Sequence, residues 1–203
     1  MTVRTILAVF CYYENMKLSV VSYLDSASLL KVREVQGALS KITGSKASLT
    51  SWDPHITIGD GIVVNDESLQ EFQSEIQTIA SPTLSFQLKL GGIGTMDNFK
   101  GGSGEKVSPF VLYLDVDVTD QLLQLVEKVS QISSGFEKWY FMPKPYEPHC
   151  TLAFRDLTED GFKLGCEYLK KQDINLISTI DHIALVEKLE NLDKELLRVN
   201  LEK

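Results

Sequence analysis

Histidine and cysteine are scarce in this chain, with three of each in 203 residues. The thiols, Cys11, Cys150 and Cys166, are odd in number and far apart. That argues against a disulfide framework and fits reduced cysteines in a cytosolic or nuclear setting. Positive charge is short too: 20 lysines and arginines face 28 aspartates and glutamates, a net charge of −8. Affinity for long nucleic acid comes mainly from basic side chains displacing counterions, so the balance argues against a duplex-coating protein. It leaves room for a small nucleotide in one pocket. No apolar run approaches the ~20 residues of a membrane span. The run Ile6–Tyr13 has only Arg4 as a positive side chain before it, and Tyr12-Tyr13-Glu14-Asn15 follows where a cleavage site needs small residues. It reads as part of a strand, Val3–Tyr13, and not as a signal peptide. Phosphate-cradling loops are missing as well. The glycine-rich stretch from Gly91-Gly92-Ile93-Gly94 to Gly101-Gly102-Ser103-Gly104 holds neither GxGxxG nor GxxxxGK(S/T), and a strand follows it. A mobile connection between lobes is expected there.

What the chain does have is one heptad written twice. Residues 52–58 read Trp52-Asp53-Pro54-His55-Ile56-Thr57-Ile58, and residues 146–152 read Tyr146-Glu147-Pro148-His149-Cys150-Thr151-Leu152. Aromatic, acid, proline, histidine, apolar, threonine and aliphatic recur in register, and two of the three histidines sit here. Each copy ends in a β-prone run. Successive side chains of a strand alternate faces, so His55 shares a face with Thr57, and His149 with Thr151. Ile56, Ile58, Cys150 and Leu152 point the other way. A proline before each histidine removes a ladder donor, which suits the first residue of a strand. Two such strands facing one another make a cleft with two imidazoles and two hydroxyls.

The rest of the chain repeats around these heptads. A strand over Lys17–Tyr23 precedes a helix near 27–42, capped by Asp25 or Ser26 and ended by Thr43-Gly44-Ser45. The first heptad continues as a strand to Val64, then a helix near 67–80 follows an Asn65-Asp66 cap. Leu84–Leu90 is a strand. The second half gives a strand over Pro109–Val118, a helix capped by Thr119 or Asp120, a loop Gly135–Tyr146 and the second heptad. A helix near 158–171 and strands over Asn175–Glu187 and Leu196–Leu201 complete it. The order strand, helix, motif strand, helix, strand thus occurs twice, as an ancestral duplication would leave it. The expected fold class is α+β, with two pseudo-symmetric lobes, each a mostly antiparallel sheet with helices on its outer face and the cleft between them. Lobe 1 is expected at about 17–90, lobe 2 at about 107–190 and a closing strand at about 194–201, within a single bilobal domain spanning 1–203.

Two H-x-T motifs with shared flanks in a duplicated chain of this length resemble the 2H phosphoesterase superfamily. That superfamily includes 2′,5′-RNA ligase-like proteins and cyclic nucleotide phosphodiesterases. Pro54-His55-Ile56-Thr57-Ile58, Leu90-Gly91-Gly92-Ile93-Gly94 and Pro148-His149-Cys150-Thr151-Leu152-Ala153-Phe154 carry the resemblance, which spans nearly the whole chain from Lys17. Phe154 stands where many bacterial members have an arginine, with Arg155 beside it, which leaves the subfamily open. The resemblance implies metal-free, cofactor-free phosphodiester chemistry on 2′,3′-cyclic nucleotides, related cyclic ribose phosphates or short 2′,5′-linked oligonucleotides. Its partner would be a small nucleotide or RNA end, with no membrane involved, and a monomer is expected.

The groups themselves allow that chemistry. Unperturbed imidazole titrates near ~6.5, so a neutral base and a protonated acid can coexist close to neutral pH. Thr57 and Thr151 can donate to non-bridging phosphate oxygens. Trp52 and Tyr146 can stack on a base or simply pack beside their strands. Lys144 and Arg155 are candidate phosphate contacts or solvated surface charges. A zinc site is the natural rival, but Cys150 faces away from both histidines. His182, in Ile180-Asp181-His182-Ile183-Ala184, reads as a packed or edge histidine. Ligation of 2′,5′ ends and non-catalytic binding of a nucleotide or RNA end are the alternative activities.

Overall fold

Each long helix starts beside a residue whose side chain accepts a hydrogen bond from its free N–H groups. In the computed structural model, which describes residues 15–59, 61–99, 108–189 and 192–203, the carboxylate of Asp25 accepts from Ser28 N–H at 2.9 Å. That cap sits between β1 (Met16–Tyr23) and α1 (Ser26–Thr43), and Gly44 closes the helix in the left-handed region at φ 78°. A one-turn helix α2 (Ala47–Thr50), not expected from the sequence, precedes β2 (His55–Thr57) and β3 (Gly61–Val64). Asn65 and Ser68 cap each other at the start of α3 (Asp66–Ala80), which leads to β4 (Phe86–Met96) and β5 (Val111–Val116). Thr119 caps α4 (Asp120–Ser133), followed by β6 (Glu137–Tyr140) and β7 (His149–Ala153). Thr158 caps α5 (Glu159–Leu169), and β8 (Asn175–Ile180), β9 (His182–Lys188) and β10 (Asp193–Asn200) end the fold. The strand expected over Val3–Tyr13, with Cys11, and the glycines at 101–104 lie outside the described residues.

The strands form one antiparallel sheet in the order β10-β9-β1-β2-β7-β5-β4-β8, with β3 beside β1 and β6 beside β3. β2 meets β7 at its middle through one residue pair, Ile56 with Cys150. Outward from that junction β1 answers to β5, β9 to β4 and β10 to β8, which is the pseudo-two-fold the duplicated sequence implies. The halves nevertheless exchange strands. β4, from the first half of the chain, pairs with β5 and β8, while β9, from the second, pairs with β1 and β10. The lobes expected at about 17–90 and about 107–190 are therefore interleaved. α1 packs against α5 and β7, α3 against α4, and the core lies between these helices and the sheet. No helix among the described residues is long and apolar enough to cross a membrane.

Tertiary pairing alters four local expectations. The first motif strand does not run unbroken to Val64. Ile58 and Gly59 both donate to the Val20 carbonyl, at 2.8 and 3.2 Å, and β3 resumes beyond this bulge in a new register on β1. The loop Gly135–Tyr146 contains β6, which pairs with β3. Asn175–Glu187 is two strands, because β8 lies on β4 and β9 on β1. Only Asp181 separates them, so the sheet must curl until its β8 edge returns toward β9. Gly91 to Gly94 belong to β4 and not to a mobile connection. Gly92 takes φ 78° at a bulge, and a Cβ on Gly94 would stand 2.0 Å from the Tyr113 ring.

Ile56 is fully buried at the single pair joining the two halves. Replacing it by alanine is expected to cost about 2–5 kcal/mol in chemical denaturation. Ile177→Ala, at a position 65% exposed, should change stability by less than about 0.5 kcal/mol.

Candidate active site

Strand alternation and one pairing build the site. Ile56, Ile58, Cys150 and Leu152 are 0–1% exposed on the core face, which turns His55, Thr57, His149 and Thr151 to the other. Because Ile56 lies opposite Cys150 in an antiparallel pair, His55 lies across from Thr151 and Thr57 across from His149. The imidazoles take one diagonal of this patch and the hydroxyls the other. Diagonal backbone positions in such a sheet stand about 7–8 Å apart, which leaves room for one tetrahedral group between the rings. All four side chains line one cavity of about 180 Å³.

Both imidazoles are oriented by the same local contact. His55 Nδ1 lies 2.8 Å from the Asp53 carbonyl oxygen, and His149 Nδ1 lies 2.9 Å from that of Glu147. A carbonyl only accepts, so each Nδ1–H donates and each neutral ring keeps its Nε2 lone pair free. The proline between carbonyl and ring, Pro54 or Pro148, has no N–H to compete for that oxygen.

Burial, with the Lys188 ammonium as a second cause, pushes the His55 imidazole down to about 4. Lys188, on β9, lines the cavity and is ion-paired with Asp193 on β10. Burial also holds the Lys188 ammonium below its ordinary value, although Asp193 opposes that shift. Asp193 N–H donates to the Ser51 carbonyl at 3.0 Å, so the β9–β10 hairpin is clipped to the segment that enters the first motif.

α1 holds both motifs at once. Arg33 donates to the carbonyls of Ser48, Leu49 and Trp52 at 3.1, 2.8 and 2.9 Å and to the Asp53 carboxylate at 2.5 Å. Three residues on, Gln36 Nε2 donates to the Thr151 carbonyl at 3.0 Å. Tyr146 ties the halves from the other side, its hydroxyl donating to the Thr57 carbonyl at 2.6 Å.

Of the residues singled out from the sequence, His55, His149, Thr57, Thr151, Trp52, Tyr146 and Arg155 all line the cavity. Lys144 does not: it is exposed and outside the lining. Arg155 lies over the Trp52 ring, 5.2 Å from its centroid. His182 is the packed histidine expected, with Nδ1 2.6 Å from Asp181 Oδ1 and its ring stacked on Tyr23. Lys188, Asp193, Trp139, Tyr140, Met142, Phe99 and Phe154 also line the cavity, and no local pattern marks them as contacts. Arg33 and Gln36 carry a detectable signal, as polar residues three apart on or beside the apolar face of a helix. Among the described residues no group of three or more histidine, cysteine, aspartate or glutamate side chains is placed to hold a metal ion.

Comparison with known proteins places this geometry in a family. Residues 25–192 match the model of the 2′-5′ RNA ligase superfamily. A Bacillus cereus relative is 30% identical over 141 residues, covering 68% of this chain and 72% of its own. One from Oceanobacillus iheyensis is 24% identical over 160 residues, covering 79% and 85%. Both carry phosphoesterase in their names. Among solved structures, E. coli LigT complexed with 3′-AMP superposes with a TM-score of 0.60 at 18% identity, covering 94% of this chain and 100% of its own. A Thermus thermophilus protein gives 0.61 at 18% identity, covering 92% and 98%. At such identities the likeness is one of fold.

The charge environment of His55 is testable by itself. Its imidazole should titrate near 4 by NMR, and Lys188→Met should move that titration upward, since a neighbouring positive charge is removed. A folded-state value below the unfolded ~6.5 means that the unfolded chain takes up the proton first. Stability should therefore fall by up to about 3 kcal/mol as pH drops from about 6.5 to about 4, and His55→Gln should flatten that slope.

Proposed function

The chain belongs to the 2′-5′ RNA ligase superfamily, and from that membership we propose a phosphoesterase that uses its two H-x-T motifs on one phosphodiester without a metal ion. Its substrates on this reading are 2′,3′-cyclic nucleotides, related cyclic ribose phosphates or short 2′,5′-linked oligonucleotides. The observation that carries it is the Ile56–Cys150 pairing, which turns both imidazoles and both threonine hydroxyls to one face. E. coli LigT, which shares the fold, has been crystallised with 3′-AMP, ATP and NADP+, all nucleotides.

Phosphorus sits on the pseudo-two-fold, between the rings. His55 enters the cycle neutral and takes the proton of the attacking water through Nε2. His149, protonated, delivers its Nε2 proton to the departing ribose oxygen as the P–O bond breaks. Thr57 and Thr151 donate to the two non-bridging oxygens, where charge collects in the transition state. The fixed Nδ1 contacts keep both Nε2 atoms aimed at the cleft throughout, so little reorganisation is needed at the moment of reaction.

Incubation with a panel of these diesters in excess EDTA tests the reading. Turnover should survive chelation, His55→Ala and His149→Ala should each lower it by ~10²–10⁴, and Thr57→Val or Thr151→Val by about 10². The profile of kcat/KM against pH should be bell-shaped, with its acid limb well below the ordinary imidazole range. Loss of activity on chelation, or wild-type rates in either histidine variant, refutes the mechanism. Tight nucleotide binding without turnover of any diester makes the chain a binding module instead.

A further inference from the structure

The β9–β10 hairpin carries an ion pair into the cavity wall, and stability does not explain it. Lys188 and Asp193 stand opposite each other in that ladder, and the ammonium donates to the Asp193 carboxylate. Their side chains are 19% and 7% exposed, and both line the cavity that holds the four motif side chains. Taking two charges out of water costs about as much as their attraction returns, and apolar side chains of similar size often serve a fold better. The pair is nevertheless held in place. Asp193 N–H donates to the Ser51 carbonyl, which makes its carboxylate a fixed seat for the ammonium. That carboxylate also favours the charged form of Lys188 against the effect of burial.

An ammonium has three N–H donors. Among the described residues Asp193 is the hydrogen-bond partner of one, which leaves two on a group at the cavity wall. Thr57 and Thr151 answer to each other across the Ile56–Cys150 pair, so they offer equivalent donors to the two non-bridging oxygens of a phosphate. Lys188 has no such counterpart among the described residues. The strand that answers to β9 is β4, and it gives the apolar Met96 to the lining. Arg155, the other lysine or arginine of the lining, follows β7 and lies over the Trp52 ring. The wall is thus symmetric in its hydroxyls and one-sided in the Lys188 charge.

We propose that Lys188 is a further catalytic residue, donating to one non-bridging oxygen of the reacting phosphodiester, and that Asp193 is the positioning residue that holds it there. The inference rests on the phosphoesterase reading above and adds a group to it. A phosphodiester carries one negative charge, and its non-bridging oxygens gain more as the attacking oxygen bonds to phosphorus. A charge-assisted hydrogen bond is roughly twice as strong as a neutral one, so an ammonium answers that gain better than a hydroxyl. Lys188 keeps its proton throughout. The bond from the attacking oxygen to phosphorus forms and that to the leaving oxygen breaks as before, with both proton transfers left to the imidazoles.

The test takes the diester turned over fastest in the panel above and its two phosphorothioate diastereomers, in which sulfur replaces one or the other non-bridging oxygen. Sulfur accepts hydrogen bonds poorly. The unmodified protein should act on one isomer more slowly than on the other by about 10-fold or more, the loss of one hydrogen bond to a charged group. Lys188→Met should lower kcat/KM on the oxygen compound by about 10²–10³ and bring the rates of the two isomers together. Lys188→Arg, which keeps charge and donors, should recover part of both the rate and the isomer preference. Rates are read on the plateau of each variant's pH profile, which sets aside the influence of Lys188 on His55. Asp193→Asn should also lower kcat/KM, and its loss should not add to that of Lys188→Met in the double variant. The double variant leaves no buried charge unpaired, so its chemical denaturation separates loss of the contact from misfolding. Isomers turned over alike by the unmodified protein, or a preference unchanged by Lys188→Met, overturn this inference and leave the phosphoesterase reading standing. Losses that add in full overturn the role of Asp193, and turnover of no diester sinks both readings.

Discussion

A single cross-strand pair governs this molecule. Ile56 and Cys150 join the two halves of the sheet, with both side chains fully buried on the core face. In an antiparallel ladder the neighbours of such a pair are fixed in both face and partner, so burying these two residues exposes the four beside them together. A slip of one residue on either strand would turn an imidazole into the core and an isoleucine or cysteine into the cleft. The arrangement of the four cleft side chains is thus protected by the hydrophobic effect acting on the buried residues between them.

Symmetry supplies two equivalent histidines, and surroundings make them differ. The same carbonyl contact orients both rings. Beside His55, however, the β9–β10 hairpin brings the buried Lys188–Asp193 ion pair into the cavity wall. A positive charge near an imidazole in a partly desolvated place favours the neutral form. Duplication gives both rings the same backbone contact, and the neighbouring hairpin places a charged pair beside one of them.

The scaffold behind the cleft is polar where it must hold position. Arg33 fastens the segment leading into the first motif, and Gln36, one turn along the same helix, fastens the second motif at Thr151. Donors that are largely buried and aimed at backbone carbonyls are costly to leave unmet, so these contacts fix the helix relative to both strands. Tyr146, read from the sequence as a stacking or packing residue, spends its hydroxyl on the Thr57 carbonyl and closes the opposite side. Its ring lines the cavity together with those of Trp139, Trp52 and Phe154.

Period-two alternation and short-range capping were legible from the chain alone. His55 with Thr57, His149 with Thr151, the caps at Asp25, Asn65 and Thr119, and the α+β class follow from contacts within a few residues. The duplicated heptad also announced that two copies of one device should meet. Local pattern does not say which strand neighbours which, because a β ladder satisfies its hydrogen bonds with partners from any distance along the chain. Hence the exchange of β4 and β9 between halves, the division of residues 175–187 at Asp181 and the pairing of β6 with β3 were decided only on folding. For the same reason Lys188 and Trp139 entered the cavity unannounced, while Lys144, close to Tyr146 along the chain, stayed outside it. Position along a strand fixes a side chain's face, and only the partner strands fix what that face looks upon.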